Sequence, residues 1–256
     1  YALNKPLVPV HHLEGHTSSL FLHARATAHM EHPPALPMLL AIVSGGHTNL
    51  YVMSTLPNGW PADFLRSSLV GRSRDDAAGE AFDKTAKILG FPYPGGMWLD
   101  RKSAGGNPNA YPLPRALPEK STCDFSFSGL KTAVSLLVRK LEGQGELEAH
   151  LADVCASIQE AIIDALLRKI YIGVRRYGCK SLAVVGGVAA NSRLRARLST
   201  EWREQGLEQA PFFPDPAYCT DNAAMIALAG AFRFYQGHTT KFPESLNLNA
   251  FASAEI

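Results

Sequence analysis

The chain has 256 residues, 46% of them apolar and 19% charged, with a formal net charge of +2. That length supports a sizeable core, as one large domain or two lobes, and the balance fits a soluble globular protein. No apolar run approaches the roughly 18–20 residues of a membrane span, and so mild a charge leaves any nucleic-acid contact to local patches or a partner.

Cys123, Cys155, Cys179 and Cys219 are scattered, with no CxxC and no disulfide framework, which predicts a reducing cytosol. The opening Tyr1-Ala2-Leu3-Asn4-Lys5-Pro6 lacks an apolar h-region and an initiator Met. It reads as a chain entered midway, not as a signal peptide.

Leu7–Val10 predicts a short strand, and a helix follows over 12–29. The run Pro33-Pro34-Ala35-Leu36-Pro37 breaks that helix. Met38–Val43 predicts a buried strand, Ser44-Gly45-Gly46-His47-Thr48 a turn, and Leu50–Met53 the returning strand of a hairpin. A helix over Asp75 to Leu89 buries Ala78, Ala81, Phe82, Thr85, Ile88 and Leu89, and Gly90 and Pro92 end it. Pro94-Gly95-Gly96 and Gly105-Gly106-Asn107-Pro108 read as loops, as does Tyr111–Pro118. Phe125–Lys131 leads into a helix ended by Gly143-Gln144-Gly145. A long amphipathic helix over Leu147 to Tyr177 stops at Gly178. A strand over Ser181–Val185, a tight turn over 186–191 and a helix over Ser192–Gln205 come next. After a loop over Pro211–Tyr218, the last helix covers Asn222–Tyr235 and the tail is irregular. Strands alternating with helices give an α/β class.

His12 and His16 lie four residues apart, so on a helix they share one face. Two imidazoles so placed can clamp one metal ion and need a third ligand from elsewhere. Asp221, just before the last helix, is the candidate. Spacing alone leaves two readings open, a metal site and partly buried structural histidines. His11, His23, His29 and His32 have no such pairing and read as solvated. A zinc protease of the HExxH type is a poor fit, because Leu13 stands where the Glu belongs and Glu14 falls one place late.

Two Gly-Gly pairs directly follow apolar strands, at Val43-Ser44-Gly45-Gly46 and Val185-Gly186-Gly187. Glycine there lets backbone N–H groups approach a phosphate or ribose. Neither pair matches GxxxxGK[ST] or GxGxxG, so P-loop and Rossmann readings fail. Both could equally mark plain turns. Asp76, Glu80 and Asp83 share one side of their helix, as a solvated acidic face or as acceptors for substrate hydroxyls. Asp83 also adjoins Lys84, which allows a surface ion pair. The basic runs Arg72-Ser73-Arg74, Arg168-Lys169, Arg175-Arg176 and Arg193-Leu194-Arg195-Ala196-Arg197 read as solubilising faces, with phosphate contacts as the lesser alternative.

Seven stretches together resemble the universal tRNA threonylcarbamoyladenosine transferase family, formerly called O-sialoglycoprotein endopeptidase, in its bacterial form. They are His11–His16, Val43–Thr48, Asp75–Lys84, Tyr93–Gly96, Phe125–Lys131, Gly186–Asn191 and Thr220–Asn222, in the family's order. The resemblance implies a two-lobed actin/hexokinase/Hsp70-like fold. It implies transfer of a threonylcarbamoyl group from threonylcarbamoyl-AMP to N6 of the tRNA adenosine just 3′ of the anticodon, in tRNAs reading codons that start with A. It implies one divalent ion, iron(II) or alternatively zinc, on the positions matching His12, His16 and Asp221. Substrate contacts would fall on Ile42, Val43, Ser44, Gly45, Gly46, Asp83, Gly96 and Asn191. The implied setting is cytoplasmic, without membrane, with a paralogous subunit of the same fold and a P-loop ATPase as partners.

This sequence departs from the family pattern in three ways. The family's opening segment, with its phosphate loop, is absent, so the first lobe is expected to be incomplete. Residues 1–37 would be its remnant carrying the metal-binding helix, and 38–256 the second lobe with the nucleotide and substrate turns. Arg72-Ser73-Arg74 is more basic than usual, and Met97 replaces a usual Pro. The sequence designates no general base. Two other functions stay open: a carbamoyl- or phosphoryl-transfer enzyme of this fold with another acceptor, and a non-catalytic truncated paralogue.

Overall fold

Met38 to Val43 places six apolar residues in succession, and all six are buried. A strand can be apolar on both sides only if both faces are covered. In this computed structural model, which describes residues 3, 5–22, 34–54, 67–241 and 243–250, both faces are covered. The elements are α1 (His12–Ser18), β1 (Met38–Val43), β2 (Thr48–Met53), β3 (Ser68–Arg72), α2 (Ala78–Ile88), α3 (Gly95–Lys102), α4 (Ser128–Gln144), α5 (Leu151–Tyr177), β4 (Ser181–Val185), α6 (Ser192–Glu201) and α7 (Ala223–Tyr235).

The strands form one mixed sheet in the order β3-β2-β1-β4. β1 and β2 are an antiparallel hairpin with Val43 opposite Thr48. β1 pairs in parallel with β4, so both strands end at the same edge. Alternation along the strands divides the core in two. Leu39, Ala41, Val43, Leu50 and Val52 pack with Phe82, Val134, Ile158 and Leu166 from α2, α4 and α5. Met38, Leu40, Ile42, Tyr51 and Val185 face the other way, against Leu13 and Leu20 of the first helical segment. The sheet thus lies between a thick helical layer and α1, an α/β architecture as the alternation of elements predicts.

Several local expectations change. Leu7–Val10 is no sheet strand: Leu7 makes an isolated antiparallel bridge to Thr240, with N–H···O distances of 2.9 Å both ways. Half of Leu7 stays exposed, so it has no face to bury. α1 ends at Ser18 and tightens into a 3₁₀ turn over Ser19–Phe21 before extended Leu22. The rest of the helix expected to 29, with His23, His29 and His32, lies outside the described residues. Gly95 and Gly96 open α3 instead of forming a loop. A Cβ on Gly95 would sit 2.3 Å from the Ala86 methyl, so glycine there serves close helix packing. β3 was not visible in the sequence because Ser68–Arg72 is an exposed edge carrying Gly71. α5 starts at Leu151, four residues later than expected, because left-handed Gly145 ends α4 and residues 147–150 form turns.

α2 starts at Ala78 and not at Asp75, because Asp75 has another role. Its carboxylate accepts the Phe127 N–H at 2.8 Å and the hydroxyls of Ser126 and Ser128. Phe127 is the N-cap of α4 and its side chain accepts nothing, so Asp75 caps that helix from a distance. Burial pushes the Asp75 carboxyl up, but hydrogen bonds from Ser126, Phe127 and Ser128 outweigh it and hold its pKa below the ordinary 3.8. A depressed carboxylate gives stability that is present above the unfolded value and lost as pH falls through the folded one. Asp75→Ala is therefore expected to cost ~1 kcal/mol of unfolding free energy near neutral pH. The gap to the native chain should close below pH 3.8, which urea unfolding on both sides of that pH will check.

Candidate metal centre

α1 begins where His11 Nδ1 accepts the Leu13 N–H at 3.2 Å, so His11 is the N-cap and not simply solvated. α7 begins at Asn222, whose Oδ1 accepts the Met225 N–H at 2.9 Å. The two helices run against each other in opposite directions. Val10 lies over Gly230, Gly15 over Met225 and Ile226, and His16 beside Asp221. A Cβ on Gly15 would stand 2.7 Å from Ile226 Cδ1 and 3.3 Å from Met225 Cγ, so any larger residue there would have to displace these α7 side chains.

This packing brings together the three residues singled out from the sequence. Asp221 Oδ1 lies 3.6 Å from His12 Nε2 and 3.2 Å from His16 Nε2. One donor atom from each of the three lies within 4.8 Å of the other two. The imidazole rings meet edge to face, 4.7 Å between centroids. His16 is fully buried, yet neither of its ring nitrogens makes a hydrogen bond, despite the short Asp221 distance. Buried polar atoms without partners are rare and require an explanation. A divalent cation would supply one, since two imidazoles and a carboxylate are a donor set that zinc or iron(II) accepts. Burial, and then the neighbouring His12, lower the His16 pKa from 6.5 to about 4. The ring is therefore neutral at physiological pH, with a lone pair free for a metal. Asp221 and His12 side chains are 73% and 45% exposed, so the site opens to solvent on one side.

His47 was not among the sequence candidates. Its ring lies 6.4 Å from that of His12, centroid to centroid, and burial, then His12 and His11, lower its pKa. The signal was its place directly after Gly45-Gly46.

The parallel pairing of β1 and β4 sets both strand-ending glycine turns at one edge. Gly186 takes φ +94°, and a Cβ there would meet the Val43 carbonyl oxygen at 2.5 Å. The turn over 44–47 is closed by the Ser44 N–H to the His47 oxygen, 2.7 Å. It also caps α2: Thr48 Oγ1 accepts the Ala78 N–H at 2.8 Å and the Ser44 oxygen accepts the Gly79 N–H at 3.2 Å. Gly45 and Gly46 are exposed, with open space where a Cβ would stand. Crevices outside the carboxyl ends of parallel strands are the usual ligand sites of α/β sheets.

The other residues singled out for substrate fall into two kinds. Ile42 and Val43 are buried in β1 and can offer only backbone. Ser44 is buried too, and its Oγ accepts the His47 N–H. Asp83 Oδ1 accepts the Gly95 N–H at 2.7 Å, which sets Gly96 at the start of α3 beside α2. Asn191 caps α6 through Leu194 and donates to Gln159 Oε1 at 2.7 Å. Lys84 binds Asp76 and Glu80, not Asp83.

The basic runs are not merely solubilising. Arg193 pairs with Glu160, and Arg197 with Glu160, Asp164 and Glu201. Arg195 donates to the carbonyls of Ala189 and Pro214, Arg176 to that of Lys120, and Lys169 is buried against the carbonyls of Glu119 and Thr122.

Fold and site together define an α/β protein with a His-His-Asp cluster beside two strand-ending glycine turns. It shares its fold with HypF of T. kodakarensis, with a TM-score of 0.54 and 15% identity over 91% of this chain and 37% of that one. The family model for tRNA N6-adenosine threonylcarbamoyltransferase matches residues 1–228, and the chain belongs to that family. Members so named are 48% identical in Anaeromyxobacter sp. strain Fw109-5, 46% in Variovorax paradoxus strain S110 and 41% in Chlorobium phaeobacteroides strain BS1. The matches cover 92%, 92% and 100% of this chain. They span 66%, 62% and 71% of those relatives, so the chain matches about two thirds of their length.

A Cβ at Gly79 would stand 2.6 Å from the Ser44 oxygen and 2.8 Å from the Gly45 nitrogen, both backbone atoms. Gly79→Ala is therefore expected to push the 44–46 turn outward and to cost about 1–3 kcal/mol in denaturant unfolding. Gly46→Ala, with nothing within 4 Å, should show no such steric cost.

Proposed function

We propose that this chain carries the threonylcarbamoyl-transfer site of its family, acting on threonylcarbamoyl-AMP and tRNA. The observation that supports this most is the meeting of His12, His16 and Asp221 at the edge where the two strand-ending glycine turns also lie. A divalent ion held by these three, iron(II) or zinc, would supply Lewis acidity to the carbamoyl carbonyl.

The chain's own residues do the rest. The exposed backbone at Gly45 and Gly46 lets N–H groups approach the adenylate phosphate without steric hindrance. Asp83 keeps one oxygen on Gly95 and offers the other to a ribose hydroxyl. Asn191 is held by Leu194 and Gln159, and so presents its remaining amide hydrogen in a fixed direction. As the bond between the carbamoyl carbon and adenosine N6 forms, the bond from that carbon to the adenylate oxygen breaks; AMP leaves with the electron pair and the N6 proton passes to water.

The reaction belongs in the cytoplasm, with a paralogous subunit of the same fold and a P-loop ATPase as partners. No helix among the described residues is long and apolar enough to cross a membrane.

His12→Ala, His16→Ala and Asp221→Ala should each weaken divalent-metal binding by more than the 10–100-fold typical of outer-sphere substitutions. Each should also abolish transfer. The assay is metal content by elemental analysis, with transfer from threonylcarbamoyl-AMP to unmodified tRNA in the presence of the partners. A His16→Ala protein with a full complement of metal and native transfer would refute the assignment. Adenylate consumption without tRNA modification would point to another acceptor.

A further inference from the structure

Glu14 is 3% exposed, between the two histidines in sequence but not in space. Helix geometry sets it roughly 160° around α1 from both of them. It is an ionised group out of water, and such a group needs a partner. Arg233, near the far end of α7, provides it in a two-point fork: Nε to Oε2 at 2.7 Å and Nη2 to Oε1 at 2.8 Å. The third nitrogen, Nη1, donates to the Pro9 carbonyl at 3.1 Å, just ahead of α1. One guanidinium thus holds both the body of α1 and the segment that enters it.

A seven-residue helix does not hold its shape or direction in isolation. α1 is fixed from outside at three levels along α7: beside Asp221, at Gly15 over Ile226, and at Arg233. Leu13 in the core and the contact near Asp221 seat α1 against the sheet and α7, but a small turn about its axis or a slide would still swing both imidazoles away from the carboxylate. The fork stops both motions, because it grips the side of α1 opposite the histidines and its oxygens accept in one plane.

We infer that Glu14 and Arg233 are positioning residues for the metal centre, setting the angle at which His12 and His16 face Asp221. This rests on the metal reading above. Neither residue touches the ion, so their effect is on affinity and coordination geometry and not on ligand count.

The test uses the full chain and Co²⁺ as the probe, because its d–d absorption reports coordination geometry. Glu14→Gln and Arg233→Met should each weaken Co²⁺ binding by about tenfold and shift the absorption bands. Arg233→Lys, which keeps the charge but loses the fork, should fall between them and the native chain. Arg115→Met breaks the Arg115–Asp164 pair elsewhere and should lose stability with native Co²⁺ affinity and spectrum. The inference is overturned if folded Glu14→Gln binds Co²⁺ with the native affinity and bands. If Arg233→Met does not fold, the near-isosteric Glu14→Gln decides the question. A native chain that binds no Co²⁺ would instead sink the metal reading itself, and the two failures are thereby told apart.

Discussion

The seating of α1 on α7 is the constraint from which the site follows. Residues separated by most of the chain must meet to within a few ångströms, and α1 is too short to hold itself in place. Gly15 lies against the Met225 and Ile226 side chains of α7, and the Glu14–Arg233 fork joins the helices where Gly15 leaves only van der Waals contact. The energetics suit geometry more than stability. A buried ion pair gains little over an apolar pair of the same size, whereas breaking one side of it leaves a costly charge. A pair of this kind at this place is best understood as a device for direction.

The sheet contributes the second half of the site. Because β1 and β4 run parallel, their carboxyl ends share an edge, and the chain leaves both through glycine. The Gly186 backbone lies against Val43, and Gly79 lies against Ser44 and Gly45, so three segments pack with no side chain between them. The same 44–48 turn caps α2, whose own N-cap residue, Ala77, has no side chain to do so. Local satisfaction of helix amides and the shape of the 44–48 turn are thus one arrangement.

Several arginines of the basic runs are spent on contacts within the protein. Arg193 and Arg197 of α6 bind Glu160, Asp164 and Glu201, and Arg175 and Arg176 at the end of α5 donate to Gln205 and to the Lys120 carbonyl. A basic run in sequence is therefore not equivalent to a basic surface. For a protein of net charge +2, contacts to a polyanion depend on local groups of exposed cations, such as Arg101 with Lys102 and Arg139 with Lys140, or on other chains.

The sequence by itself determined the α/β class, the strands at Met38–Val43 and Ser181–Val185, the helix stops at Gly145 and Gly178, and the pairing of His12 with His16. Each of these depends on periodicity, on an apolar run, or on glycine's access to left-handed backbone, all of them local properties. Asp221 and the seven ordered stretches pointed to one family for the same reason, since a motif is legible wherever it lies. What the sequence did not show needed contacts between distant segments. An edge strand with Gly71 has no apolar pattern, Gly-Gly at the head of α3 looks like a loop until Ala86 is seen beneath it, and Asp75 looks like a helix start until Phe127 is found to need its carboxylate. Only the tertiary structure decided that Arg233 faces Glu14, that His47 turns toward His12, and that His16 is buried with both ring nitrogens unpaired, because burial and direction arise only when the layers close.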